Sequence, residues 1–327
     1  MNISNNSKMI LEKCSASTFI VRSPSSSYIR SSIAASVVNI VLAVAGTILN
    51  SFVLFIFCKS RKLRSKLFSF AIMLLCSIDL GVGTVVHPLF ALKSITTMLD
   101  SPKCLYIEAY TVAIYFFSGI SACTLLIINI ERYFAIFHPF LYQIHFTKRR
   151  FVYTWIVFWF LVVVWTVCYI YFLFLAVVIP VILCIIVFTS LFTYVAIYVV
   201  ARKKRKRNDV HSNSNQESRR YFLALLRELK MAKTYLLVVS LCVFCYLPTV
   251  VVIGIFAHIL NHDDKTPVST VNALDWAARL TSMNSSLNCL MFLGGNREMR
   301  KEGSKILKEC FNPQKVQQLE LNVVQKK

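Results

Sequence analysis

Charge is scarce in this sequence, and negative charge is scarcer still. Only 16% of the 327 residues are charged, with 15 Asp plus Glu against 36 Lys plus Arg. A soluble globular chain carries about 25% charged and about 45–50% apolar residues. Here the apolar share is 57%. That balance excludes an ordinary soluble domain, and so much apolar surface excludes disorder. The sequence has no HExxH, no Walker loop and no dinucleotide glycine pattern, and its six His are scattered. Cys242 and Cys245 form a C-x-x-C, but inside a hydrophobic run, where a metal or redox pair is out of place. No catalytic constellation is found, and an enzyme is not expected. The 11 Cys are spread over a long chain, mostly in apolar runs, which excludes a secreted disulfide scaffold. What is left is an all-α membrane protein that crosses the bilayer several times.

A membrane helix needs roughly 20 mostly apolar residues. Seven stretches qualify: Ser32–Phe57, Leu67–Leu92, Leu105–Phe134, Phe151–Phe172, Leu175–Val200, Met231–Ile259 and Ser269–Leu293. From Phe151 to Ala201 there is no Asp, Glu, Lys, Arg or His. One helix of about 50 residues would be about 75 Å long, more than twice the roughly 30 Å core. The run must therefore fold back near Tyr171–Ala176, leaving almost no loop. Three alternate connections are basic: Lys59, Arg61, Lys62, Arg64 and Lys66; then Lys148, Arg149 and Arg150; then Arg202 through Arg207. The opposite connections hold little charge. The N-terminus is thus expected outside and the C-terminus inside. The net charge of +21 is mainly this orientation signal, not a sign of nucleic acid; its second role is attraction to anionic inner-leaflet lipid. The chain divides into an outer segment 1–31, a bundle 32–293 and an inner segment 294–327. Asn2 and Asn5 open glycosylation triplets on the outer side. No internal repeat is seen, which weighs against a seven-span transporter.

Polar residues inside the spans are costly and are functional candidates. Asp79 lies midway through the second span, Asn50 in the first, Ser121 in the third, and Asn284, Ser285 and Asn288 in the seventh. For the Ser residues the favoured reading is a helix-to-helix hydrogen bond. The Asp needs a partner, a proton or a cation, and oxygen-rich surroundings suit a small hard cation such as sodium. Glu131-Arg132-Tyr133 ends the third span, and Glu228 opens the sixth on the same side. An Arg that can pair with either of two carboxylates is a two-state element. Pro248 interrupts the sixth span and is expected to kink it.

These residues together resemble the rhodopsin-like (class A) G-protein-coupled receptors, over roughly Ile33 to Cys310. Leu75 and Asp79 match the second-span Leu-x-x-x-Asp, and Gly46 through Asn50 resembles the first-span mark. Glu131-Arg132-Tyr133 matches the Asp/Glu-Arg-Tyr triplet, and Trp159 falls at the fourth-span Trp. Cys245-Tyr246-Leu247-Pro248 resembles Cys-Trp-x-Pro, and Asn284 through Phe292 resembles the stretch ending Asn-Pro-x-x-Tyr. Asn296 through Arg300 looks like the start of a short amphipathic cytoplasmic helix. The resemblance implies a seven-transmembrane helix bundle in the plasma membrane, with a heterotrimeric G protein and arrestin as partners. It implies a sodium pocket of Asp79, Ser121, Asn284 and Asn288, with Asn50 nearby. It makes Arg132 the switch, paired with Glu131 or Glu228, and gives supporting roles to Tyr194, Tyr246, Pro248 and Phe292. It makes Cys310 a palmitoylation site. The tail after Arg297 has one hydroxyl residue, Ser304, so desensitisation by phosphorylation is expected to fall on Ser212, Ser214 and Ser218 of the inner loop.

The departures from the family are specific. Tyr246 replaces the sixth-span Trp, Cys289 the seventh-span Pro and Phe292 its Tyr. They keep open a second reading, a receptor-like protein that binds without signalling. The second outer loop is nearly deleted, and with it the Cys that usually pairs with the third span. Cys104 is left with Cys168 or Cys14 as its partner. Ile114 stands where amine receptors carry Asp, so a monoamine ligand is not expected. No Lys lies in the seventh span, so retinal is not expected either. Outer-facing candidates for an extracellular ligand are His87, Ile114, Tyr115, Ser118, His258, Trp276 and Arg279, with Glu108 and Asp275. Arg279 is expected to meet either an anionic ligand or Asp275, one turn away. The missing loop is expected to leave the pocket mouth open.

Overall fold

The computed structural model describes residues 10–15, 18–172, 175, 178–210, 236–256, 258–259 and 268–311. Strands β1 (Ile10–Lys13) and β2 (Phe19–Arg22) come first and pair antiparallel, Ile10 opposite Arg22 and Lys13 opposite Phe19. Helices α1 (Ser26–Lys59), α2 (Arg61–Ser65), α3 (Leu67–Gly81), α4 (His87–Met98), α5 (Cys104–Phe137), α6 (Pro139–His145), α7 (Lys148–Tyr171) and α8 (Val178–Val210) follow. Then come α9 (Leu236–Phe256), α10 (Val268–Gly295) and α11 (Arg297–Phe311). With α3 and α4 read as one bent span, these make the expected seven-helix bundle plus a short final helix. Among the described residues, five helices, α3 and α4 taken as one, are long and apolar enough to cross a membrane by length and composition. In α8 the apolar helix is the shorter Val181–Ala196, because the rest of the helix runs into the basic cluster. Helix α10 is diluted by Asp275, Arg279 and its Asn and Ser residues.

Polar groups of the spans lie inside the bundle, and large apolar side chains cover its outside as well as filling its core. Asn50, Asp79, Ser121 and Asn288 are buried, whereas Val41 is 61% exposed, Phe160 68% and Phe188 73%. That is the arrangement expected where the surrounding solvent is lipid. Helix α1 packs on α3, α4 and α10, and α5 packs on α3, α7 and α8. A Cβ on Gly46 would stand 2.8 Å from Ser286 Oγ, so the missing side chain lets α1 and α10 close on one another. The fold-back expected near Tyr171–Ala176 is present: α7 ends at Tyr171, capped at Phe172, and α8 begins at Val178.

Two features were not foreseen. The first is in the second span, where a π-helical turn, Val82–Val86, joins α3 to α4. Pro88 sits in the first turn of α4. It has no N–H to give the preceding turn, and its ring crowds the carbonyl there, so the helix widens. The second is the hairpin. Ser25 caps α1 by accepting from Tyr28 N at 3.3 Å, so the helix starts at Ser26 rather than Ser32. The residues before it fold over the same end of the bundle. Val21 and Tyr28 are buried with Phe256 of α9 and Val271 of α10, and Phe19 meets Phe256 edge-on at 5.3 Å. A disulfide joins Cys14 to Cys104, and Ser23 N donates to Asp100 Oδ1 at 2.6 Å. The mouth expected to be open is therefore covered, by the N-terminal hairpin instead of the missing loop. Cys168 carries no disulfide.

Candidate functional site

Three groups of side chains lie along the axis of the bundle. At its middle, α3 places Asp79, fully buried. Ser121 Oγ of α5 donates to Asp79 Oδ1 at 3.5 Å, and Asn288 Nδ2 of α10 donates to Oδ2 at 3.3 Å. Asn50 joins through the backbone: its Nδ2 donates to the carbonyls of Gly46 (2.9 Å) and Ser285 (3.4 Å). Two amide oxygens here, Asn50 Oδ1 and Asn284 Oδ1, are buried with no hydrogen-bond partner. A buried carboxylate with long bonds, and unpartnered amide oxygens on the helices that pack on one another here, are donors of the hard, oxygen-only kind that suits sodium. Among the described residues, no group of three or more His, Cys, Asp or Glu side chains comes together for a transition metal.

At the basic end, Glu131 is fully buried and Arg132 is bound to it: Nε donates to Oε2 at 2.5 Å, and Nη2 donates to Oε1. The guanidinium lies over the Phe68 ring, 4.3 Å from its centroid. Tyr142 of α6 donates to Glu131 Oε1 at 2.7 Å. Nothing in the sequence marks that bond, because α6 is a single short helix in a connection. Tyr133 points away from the ion pair into a ring cluster with Phe137 and Phe192. Tyr194 is half-buried on α8, and Phe292 is buried in the core with Cys289. Tyr246 OH donates to the Ser118 carbonyl at 3.2 Å, tying α9 to α5. Cys289 Sγ donates to the Leu49 carbonyl at 3.2 Å, tying α10 to α1. Pro248 leaves α9 short of one backbone donor, and Thr281 Oγ1 of α10 reaches the nearby Cys245 carbonyl at 3.4 Å. Glu228, the inner-loop Ser residues, Asn2 and Asn5 lie outside the described residues, as does the side chain of Cys310.

The short final helix closes this end. Asn296 Oδ1 accepts from Glu298 N (3.0 Å) and Met299 N (3.2 Å), which starts α11. Met299, Gly303 and Ile306 form its buried face. Glu298 meets Lys66 at 2.5 Å and Lys62 at 3.4 Å. The hydrogen bond from Lys66, with both ammonium charges, holds its carboxyl below the usual carboxylate range. Two residues of the first basic cluster thus have a partner in the protein.

At the hairpin end the expected ligand residues do not converge on one pocket. His87 Nδ1 and Asn39 Oδ1 are 2.7 Å apart, and Asn39 Nδ2 donates to the His87 carbonyl. Trp276 Nε1 donates to Ser31 Oγ at 2.9 Å, and Tyr115 OH meets Tyr169 OH at 3.1 Å. His258 is exposed, Glu108 is half-buried, and Ile114 is buried in a small apolar cluster with Phe90 and Tyr110. Asp275 pairs with Lys93 of α4, not with Arg279. Arg279 is 2% exposed, donates through Nη2 to Tyr110 OH, and stacks 3.2 Å from the Phe90 ring centroid. Ser118 lines a separate, almost wholly apolar cavity of about 200 Å³ with Phe158, Trp165, Ile182 and Tyr246. Tyr110 was legible in principle, since Tyr110, Ile114, Ser118 and Ser121 share one face of α5.

Residues 49–190 match the model of the family described as 7 transmembrane receptor (rhodopsin family). No curated protein matches the chain at a significant level.

Proposed function

The match over residues 49–190 puts the chain with the rhodopsin-family seven-transmembrane receptors, and from that premise we propose that it carries an extracellular ligand signal to a heterotrimeric G protein across the plasma membrane. The observation that carries the reading is the Glu131–Arg132 pair at the basic end, buried, held by Tyr142 and stacked on Phe68. A buried ion pair is strongly destabilised when one partner is removed, so an Arg withdrawn from Glu131 needs a new acceptor. Glu228 or a G protein supplies it, and the pair becomes a switch between two helix arrangements.

The hairpin end is the outer one, with Asn2 and Asn5 glycosylated. The basic end faces the cytoplasm, where anionic lipid meets the Lys and Arg clusters and Cys310 is palmitoylated. Sodium in the Asp79 cluster holds the resting arrangement, and Asp79, Ser121 and Asn288 are the residues that would bind it. Arrestin engages the inner loop through Ser212, Ser214 and Ser218. The ligand is neither a monoamine nor retinal.

A second reading is a binding protein that does not signal. The bonds from Tyr246 to Ser118 and from Cys289 to Leu49 favour it, since each ties together helices that activation must separate. The test is basal G-protein activation in cells, across the G-protein classes, with Arg132→Ala at matched surface level. Signal in one class that is lost in the variant supports the receptor. Equal signal from both contradicts it.

A further inference from the structure

Arg279 is a buried charge without a counter-ion among the described residues. It is 2% exposed, and its Nε and Nη1 groups are enclosed with no hydrogen-bond partner. Asp275, the carboxylate one turn away on α10, is taken by Lys93. Glu108, the carboxylate on α5 near Tyr110, forms no ion pair among the described residues. Among the described residues, Lys93, Asp275 and Arg279 sum to one positive charge, and Glu108 pairs with neither cation. A guanidinium with idle donors in such a place is destabilising unless something negative joins it.

The surroundings define what that is. Arg279 donates to Tyr110 OH, so the Tyr110 proton is left to donate in turn. The walls are the rings of Phe90 and Tyr110. One unbalanced charge calls for a monoanion. A planar guanidinium edge fits a carboxylate with two parallel bonds, and aromatic walls fit an apolar body. We infer that Arg279 and Tyr110 form the anchor for a small monocarboxylate with a compact apolar body. This deepens the receptor reading by naming the class of ligand, and it rests on that reading.

The approach runs from the hairpin side. A cavity of about 10 Å³ lies beneath β2, bounded by Lys93, Tyr106, Ile107 and Val271. Lys93 also sits 5.5 Å from the Tyr110 ring centroid, beside Arg279. Lys93 is thus shared: it lines this cavity and pairs with Asp275, one turn from Arg279.

Thermal unfolding of the purified full-length receptor in a neutral detergent tests this with benzoate and its uncharged isostere benzamide. Benzoate is expected to raise the midpoint saturably, by about 3 °C, and benzamide to leave it unmoved. In Arg279→Met the unliganded midpoint is expected at or above that of the wild type, with the benzoate shift lost. Tyr110→Phe keeps the charge and removes one donor, so its apparent affinity should fall about ten-fold; it also serves if the Met variant does not fold. Equal shifts with benzoate and benzamide, no shift in the wild type, or a benzoate shift that survives in Arg279→Met would overturn the proposal. Binding is read directly here. A receptor that takes benzoate and activates no G protein contradicts the coupling reading alone.

Discussion

Asp79 and Arg279 are both buried charges, and their surroundings treat them differently. Asp79 has donors from two neighbouring helices, and α1 and α10, which pack on α3, carry amide oxygens without partners. A cation fits there, so sodium chloride should stabilise the purified receptor by a few degrees relative to choline chloride. In Asp79→Asn that difference should vanish, with no loss of stability in choline; a sodium effect that persists would remove Asp79 from the site. Glu298 acts in the open. Its carboxyl lies below the usual range because Lys66, then Lys62, favours its charged form. A lowered folded-state value contributes stability above the unfolded value, near pH 4.3. That contribution is lost as the pH falls through the folded value. The midpoint gap between wild type and Glu298→Gln should therefore be largest above about pH 5 and close as the pH drops. It should stay small, about 0–1 kcal/mol, because the pair is solvated. Asp79 and Arg132 were legible in the sequence because an ionisable group inside an apolar run is conspicuous. The Lys93–Asp275 pair was not, since its partners are 182 residues apart and only the fold brings them together.

Among the elements, the hairpin and the close helix contacts carry the testable consequences. The Cys14–Cys104 bridge closes a loop of 90 residues. Cys14→Ser should cost about 2–4 kcal/mol of stability and expose the segment around β1 and β2 to limited proteolysis; a hairpin equally protected without the bridge would show that packing on Phe256 and Val271 suffices. At Gly46, a Val must push Ser286 aside. Overpacking of that kind costs about 1–3 kcal/mol, read as a lower unfolding midpoint. Gly254 has open space around its Cα, so Gly254→Ala should be neutral or stabilising. The helices were legible because each is a long apolar run, and the fold-back after Tyr171 followed from length alone. The hairpin was not, because its strands are four residues each and gain their stability from helices far along the chain. The π turn was not legible, although it is local and lies beside Pro88, because a Pro in an apolar run signals a bend without saying which turn absorbs it.

Across the whole molecule, the polar groups form a discontinuous axis, from Arg279 at the hairpin end through Asp79 to Glu131 and Arg132 at the basic end. The bonds of Tyr246 and Cys289 bind the helices between these points. A ligand at one end can act on the other only by shifting the balance between two packings of these helices. The most direct test is nucleotide exchange on purified heterotrimers of each G-protein class, catalysed by the receptor in lipid nanodiscs. The account predicts that the wild type accelerates exchange on at least one class and that Arg132→Ala falls to the rate of empty nanodiscs. Equal rates for the receptor, the variant and empty discs, or acceleration that the variant retains, would contradict it.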